Sequence, residues 1–146
     1  MVKIYIENSS KFGMPKYAHP GDSGMDVKAN INEPVTLGPL ERFIFPTGIK
    51  VNIPEGYEIQ VRSRSGMVAN RALVVGNEPG TIDQCFKGEI GVILVNLSNE
   101  AQTIEPGERI AQLVVAKVET AELEEIEKVP ENTERGSGAY GSSGRF

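Results

Sequence analysis

The sequence predicts an all-β domain, a sandwich, barrel or jelly roll carrying one short helix. Three observations lead there. Short runs rich in β-branched and aromatic residues recur along the chain, turns containing Gly and Pro separate them, and a single stretch has helical character.

The elements follow in order. Met1-Val2-Lys3-Ile4-Tyr5-Ile6 alternates polar and apolar residues and lacks a signal-peptide pattern. Strands are predicted at residues 42–45, 49–53, 57–62, 91–97 and 110–118, each a run of residues that suit a pleated, half-buried surface. Pro20-Gly21-Asp22, Pro54-Glu55-Gly56, Glu78-Pro79-Gly80 and Pro106-Gly107-Glu108 punctuate them as turns. Residues 65–71 suit about two helical turns, with Ser65 expected as the N-cap. Residues 76–89 read as a hairpin with Asp83 at a strand end and Phe86 three residues on. Residues 1–130 make one domain, and residues 131–146 a Gly- and Ser-rich arm that has no core of its own and is expected to order only against a ligand.

Composition narrows the chemistry. With one cysteine, Cys85, and one histidine, His19, the chain has neither a disulfide nor a Cys/His cluster for zinc. A catalytic metal would be held by oxygens, which favours magnesium. The net charge of −5 disfavours direct binding to nucleic acid. No apolar run is long enough to span a membrane, and a cytoplasmic protein is expected. The acidic run at residues 119–134, with seven glutamates and one lysine, reads as a solvated edge strand and linker.

Three segments carry chemistry. Arg62-Ser63-Arg64-Ser65-Gly66-Met67 places two arginines and a small-residue turn at a helix start, where free N–H groups suit an anion. Asp83 sits in the predicted hairpin, and a carboxylate beside a phosphate site is suited to deprotonating a water rather than to binding phosphate. In the arm, Gly136-Ser137-Gly138-Ala139-Tyr140-Gly141 matches a dinucleotide-binding pattern, but no helix has room to follow it. The same residues suit a flap: Arg135 forks onto phosphate, Ser142 and Ser143 donate hydrogen bonds, and Tyr140 stacks on a base.

Five segments in order resemble the motifs of the trimeric dUTPase family: residues 18–27, with Asp26; Arg64-Ser65-Gly66-Met67; residues 80–91, with Asp83; residues 106–113, with Gln112; and Arg135 to Gly144. The resemblance implies a distorted jelly-roll β-barrel subunit in a homotrimer whose active sites are shared among chains. It implies hydrolysis of dUTP to dUMP and pyrophosphate, which keeps uracil out of DNA and supplies dUMP for thymidylate synthesis. Asp83 resembles the catalytic carboxylate. Arg64, Ser65, Gly66 and Gln112 match phosphate-contacting positions; Asn77, Gly80, Thr81, Ile82 and Phe86 match the uracil- and sugar-reading hairpin. Arg135, Tyr140, Gly141, Ser142 and Ser143 match the closing arm. Mg2+ would be held mainly by substrate phosphates, with Asp26 reaching it through water or holding a neighbouring arginine. The chain departs from the family pattern at Phe86, usually Tyr; at Ser63, often Pro; and at Ala139, commonly Gly.

Three other classes are weighed against this, and a capsid-like jelly roll would not need five phosphate- and base-fitting motifs. A dCTP deaminase uses the same scaffold but is typically longer, without the glycine-rich arm, and no further glutamate motif resembles its deaminating base. A trimeric nucleotide sensor would not need Asp83.

Overall fold

The computed structural model describes residues 1–130 and 133–139. Among them, eleven strands and one helix follow in the order β1 (Tyr5–Asn8), β2 (Gly24–Lys28), β3 (Val35–Leu37), β4 (Arg42–Pro46), β5 (Ile49–Asn52), β6 (Tyr57–Arg62), α1 (Ser65–Arg71), β7 (Leu73–Val75), β8 (Gly80–Ile82), β9 (Gly91–Asn96), β10 (Gln102–Ile104) and β11 (Arg109–Lys117). Every pairing is antiparallel. A four-stranded sheet in the order β2-β11-β6-β8 and a three-stranded sheet β4-β9-β7 are joined by the two-stranded ribbons β1-β5 and β10-β3. The strands therefore form the all-β, jelly-roll architecture expected, with one short helix.

Side-chain alternation explains the strands. In β5 and β9 every second residue is buried, so that Ile49, Val51, Val92 and Leu94 turn inward. Their partners in the core are Phe45, Ile59, Leu73, Ile90, Ile104, Ile110 and Leu113, all close to fully buried. Two polar residues share this interior with their hydrogen bonds satisfied. Asn96 donates to the carbonyls of Leu37, Gly38 and Glu100 and accepts from the N–H and hydroxyl of Ser98. Thr47 donates to the Ile90 carbonyl at 2.6 Å and accepts from the Ile49 N–H at 3.2 Å.

Four sequence expectations are corrected. The N-cap is Arg64, extended at φ −87° and ψ 128°, and Ser65 is the first helical residue with no capping side chain. The Arg64 carbonyl already accepts from Met67 and Val68, so the helix begins one residue after it. Residues 76–89 are not a simple hairpin: β7 pairs with β9 and β8 with β6, so the turn between them carries the chain from one sheet to the other. Beyond Lys117 the acidic run forms no strand through residue 130; closely spaced glutamates disfavour pairing with a neighbouring strand. The predicted strands also end slightly differently, at Asn52 and Asn96, and β11 runs from Arg109 to Lys117. No helix among the described residues is long and apolar enough to cross a membrane.

Candidate active site

Three adjacent strands put Asp26, Gln112 and Arg62 in one row. Gln112 pairs with Asp26 on one side and with Arg62 on the other. Paired residues of antiparallel strands project to the same face. Arg109 should not share that face, because it lies three residues from Gln112 and strand side chains alternate. A shift in register between Arg109 and Ala111 re-aims it, as a bulge does. Ile110 and Ala111 are consequently buried one after the other.

The result is a cationic cluster built around one carboxylate. Asp26 accepts from Arg64 Nε at 2.8 Å and pairs with Arg109 Nη1 at 3.6 Å. Arg64 Nη1 donates to the Arg109 carbonyl at 3.2 Å. Arg64 is thereby held by two of its nitrogens and keeps Nη2 for a ligand, and its planar fork suits phosphate oxygens. No acceptor among the described residues meets the backbone N–H groups of Ser65 and Gly66 beside it. Gln112 Nε2 donates to the Ser63 carbonyl at 2.9 Å, which fixes its amide over the same loop. A cleft of about 610 Å³ opens next to Asp26 and Arg109, lined also by Lys16 and Lys28. Three cations facing one carboxylate make it receptive to anions, although the whole chain is acidic. Arg62 is on the same face but is held along its own strand by the Gln60 side chain.

A second set of groups lies on β8 and the turn after it. β8 is the edge of its sheet, so one side pairs with β6 while alternate N–H and C=O groups of Gly80, Thr81 and Ile82 face outward. Such an edge presents donors and acceptors at fixed spacing, which is what reading the hydrogen-bonding edge of a base requires. Gly80 is closely covered here: a Cβ on it would stand 3.1 Å from the Asn77 amide and 3.2 Å from Val61, crowding both. Asp83 follows β8, exposed, and its carbonyl accepts from the Phe86 N–H at 3.1 Å. Lys87 ties this turn to β5 through Asn52 and to the Gln84 carbonyl, both at 2.8 Å. The Phe86 ring lies over Gly88, where a Cβ would come within 2.7 Å of Cζ. Cys85 is exposed beside it.

The second set begins beside the loop of Arg64, where Gly80 pairs with Val61, but its Asp83 end lies far from Arg64 within one chain. Ile82 pairs with Ile59, which puts Asp83 level with the start of β6, whereas Arg64 lies beyond its other end. The separation is roughly six residues of strand, about 20 Å. Arg135 lies in a turn where its Nε donates to the Gly138 carbonyl at 3.0 Å. Tyr140, Gly141, Ser142 and Ser143 fall outside the described residues.

The order of these segments matches a known family model. The model described as dUTPase aligns with residues 10–144. The chain belongs to the dUTPase family. It is 50% identical over 144 residues to the deoxyuridine 5'-triphosphate nucleotidohydrolase of Fusobacterium nucleatum, covering 99% of this chain and 98% of that one. The dUTPase of Staphylococcus bacteriophage 80alpha, solved with dUpNHpp, superposes with a TM-score of 0.88 at 31% identity, over 99% of this chain and all of that one. A dUTPase from phage phi11 of S. aureus, whose structure details the coordination of a structural Mg(II) ion, superposes with a TM-score of 0.78 at 27% identity, over 88% of this chain and 99% of that one.

Two residues that shape this dUTPase's site were given no role by the sequence, Gly24 although it lies within the first motif-like segment. Arg71, at the end of α1, bonds Gln102, the Thr103 carbonyl and Glu108, and so ties the helix to the turn that leads into Arg109. Gly24 matters because the Gln112 side chain fills its empty side: a Cβ there would stand 2.1 Å from Oε1. Gly24→Ala therefore displaces the Gln112 amide from Ser63. It should raise the KM for nucleotide about tenfold, the scale of one lost polar contact, and match Gln112→Ala. Steady-state kinetics of the double variant check the assignment, since two changes acting through one group do not add.

Proposed function

We propose that this dUTPase hydrolyses dUTP to dUMP and pyrophosphate with Mg2+, at sites that different chains of a homotrimer complete together. The observation that carries the reading is the separation just described: within one chain the Asp83 carboxylate lies at the far end of β6 from Arg64, too far to act on a phosphate that Arg64 holds. A neighbouring copy brings the two sets together. The dUpNHpp-bound relative supports a triphosphate nucleotide as the ligand class.

In this reading Arg64, the Ser65 and Gly66 N–H groups and Gln112 bind the phosphates. From the neighbouring chain, Asn77 and the outward edge of Gly80, Thr81 and Ile82 read uracil, while Phe86 lies against the sugar. Cytosine presents a donor where uracil presents an acceptor, and the unmatched groups are costly to bury. Asp83 orients a water and takes one of its protons. The water oxygen bonds to the α-phosphorus as the bond to the bridging oxygen breaks, and that oxygen leaves on pyrophosphate. Arg135, Tyr140, Gly141, Ser142 and Ser143 close over the site as an arm from a third chain. The product serves thymidylate synthesis, and removal of the substrate keeps uracil out of DNA.

The described residues include no group of three or more His, Cys, Asp or Glu side chains able to hold a metal. Asp26 is already engaged by two arginines. That donor set fits an ion carried chiefly by substrate phosphates and water, with Asp26 reaching it through water, a mode magnesium favours. When bound, Mg2+ supplies charge neutralisation of the triphosphate.

Incubation with dUTP, dCTP, dTTP or UTP, each with Mg2+, tests the reading. Pyrophosphate is expected from dUTP alone, without ammonia from any. Intact dUTP, or ammonia from dCTP, overturns it.

A further inference from the structure

Ser63, at the junction of β6 and α1, bonds in three directions. Its hydroxyl accepts from the Val75 N–H at 2.8 Å and donates to the Glu78 carboxylate. Its carbonyl accepts from Gln112. A serine hydroxyl has one proton to give, and here it goes to Glu78. Val75 ends β7, and Glu78 lies in the turn that leads into β8. The same turn carries Asn77, whose amide covers Gly80. One side chain therefore joins the base-reading turn to the loop of Arg64, Ser65 and Gly66.

We infer that Ser63 and Glu78 are a positioning pair: they set the base-reading turn of one active site against the phosphate-binding loop of the next. The inference rests on the dUTP site proposed above. Glu78 is exposed, Ser63 is half-buried and the bond between them lies at the surface, so water competes for it and it adds little to global stability. Its effect is geometric. The turn crosses between sheets; its backbone bonds, from the Gly76 N–H to Ile93 and from the Glu78 N–H to Val75, look back toward β7 and β9, and the Glu78 carboxylate is its side-chain anchor to Ser63 beyond the end of β6. Without the anchor, Asn77 and the start of β8 sample more positions, and base recognition suffers before chemistry does.

The test uses the full chain. Ser63→Ala and Glu78→Ala should each raise the KM for dUTP about five- to tenfold, with kcat within about twofold of the parent, and narrow the preference for dUTP over dCTP to a similar extent. The double variant should be no worse than either single change. Ser63→Thr, which keeps the hydroxyl, and Glu78→Gln, which keeps an accepting oxygen, should restore KM and base preference. Thermal melting of Glu78→Ala, Glu78→Gln and Ser63→Thr should match the parent, whereas Ser63→Ala and the double variant, which leave the Val75 N–H without its acceptor, should melt lower by a similar amount to each other. Parental KM and base preference in both alanine variants, additive losses, or no rescue by threonine overturns the pair. A parent protein inert toward dUTP removes the site reading instead, and the two failures are told apart in the parent's own assay.

Discussion

Asp83→Asn should leave a folded protein that still binds dUpNHpp while hydrolysing dUTP at least about 10²-fold more slowly, the usual contribution of a general base. The substitution is close to isosteric, and the structure makes it a clean one. The Asp83 side chain is exposed and has no partner among the described residues. Only its backbone carbonyl is used, by the Phe86 N–H. Asparagine suits a turn as well as aspartate does, so the local chain keeps its conformation. What is lost is the ability to take a proton from water. Calorimetric titration with dUpNHpp separates the outcomes: unchanged affinity with slow turnover marks a chemical role, whereas weakened binding with normal kcat marks a contact to the sugar. Near-parental turnover takes Asp83 out of the mechanism.

The family and its motifs were legible because they are local. Glycine, proline and charged residues in fixed order need no tertiary information to be read, and the longer strands announce themselves through β-branched runs. The strands that escaped are β3, β7 and β10, whose three residues are too short to show a period of two, together with β1 and with β2, where Gly24, Asp26 and Lys28 interrupt any β-branched run. What turns the motifs into a site was not legible, because it depends on pairing. Arg109 faces Asp26 only through a register shift invisible along one strand. Ser63 meets Glu78, and Arg71 meets Glu108, across loops whose partners are fixed by the fold. Read alone, Ser63 is only a departure from a common proline. Ser65 looked like a cap because serine favours that position, yet Arg64 has the extended backbone that starts the helix, and the Ser65 N–H meets no acceptor among the described residues. The distance between Asp83 and Arg64 is likewise a matter of register: nineteen positions apart in sequence, they stand at opposite ends of β6 because Ile82 pairs with Ile59.

That separation yields a second large effect, a recovery of activity. Arg64→Ala removes the phosphate-binding fork and leaves Asp26 with Arg109 alone, so a trimer of this variant should be nearly inactive, as should one of Asp83→Asn. Refolding the two variants together in equal amounts should restore activity to about a quarter of the parental level. In the closed ring proposed, each site would take its phosphate cluster from one chain and its carboxylate from a neighbour. With random assembly half the phosphate clusters retain Arg64 and half the carboxylates retain Asp83, so one site in roughly four has both intact. A site confined to one chain behaves differently, because every chain then carries one of the two lesions and no mixture revives it. Sedimentation of the refolded material checks that the species assayed is a trimer, and pyrophosphate release measures its activity. Recovery near a quarter places the nucleotide between chains. A mixture as inactive as its components requires one chain to bring Asp83 and Arg64 to the same nucleotide, against a spacing along β6 of about 20 Å.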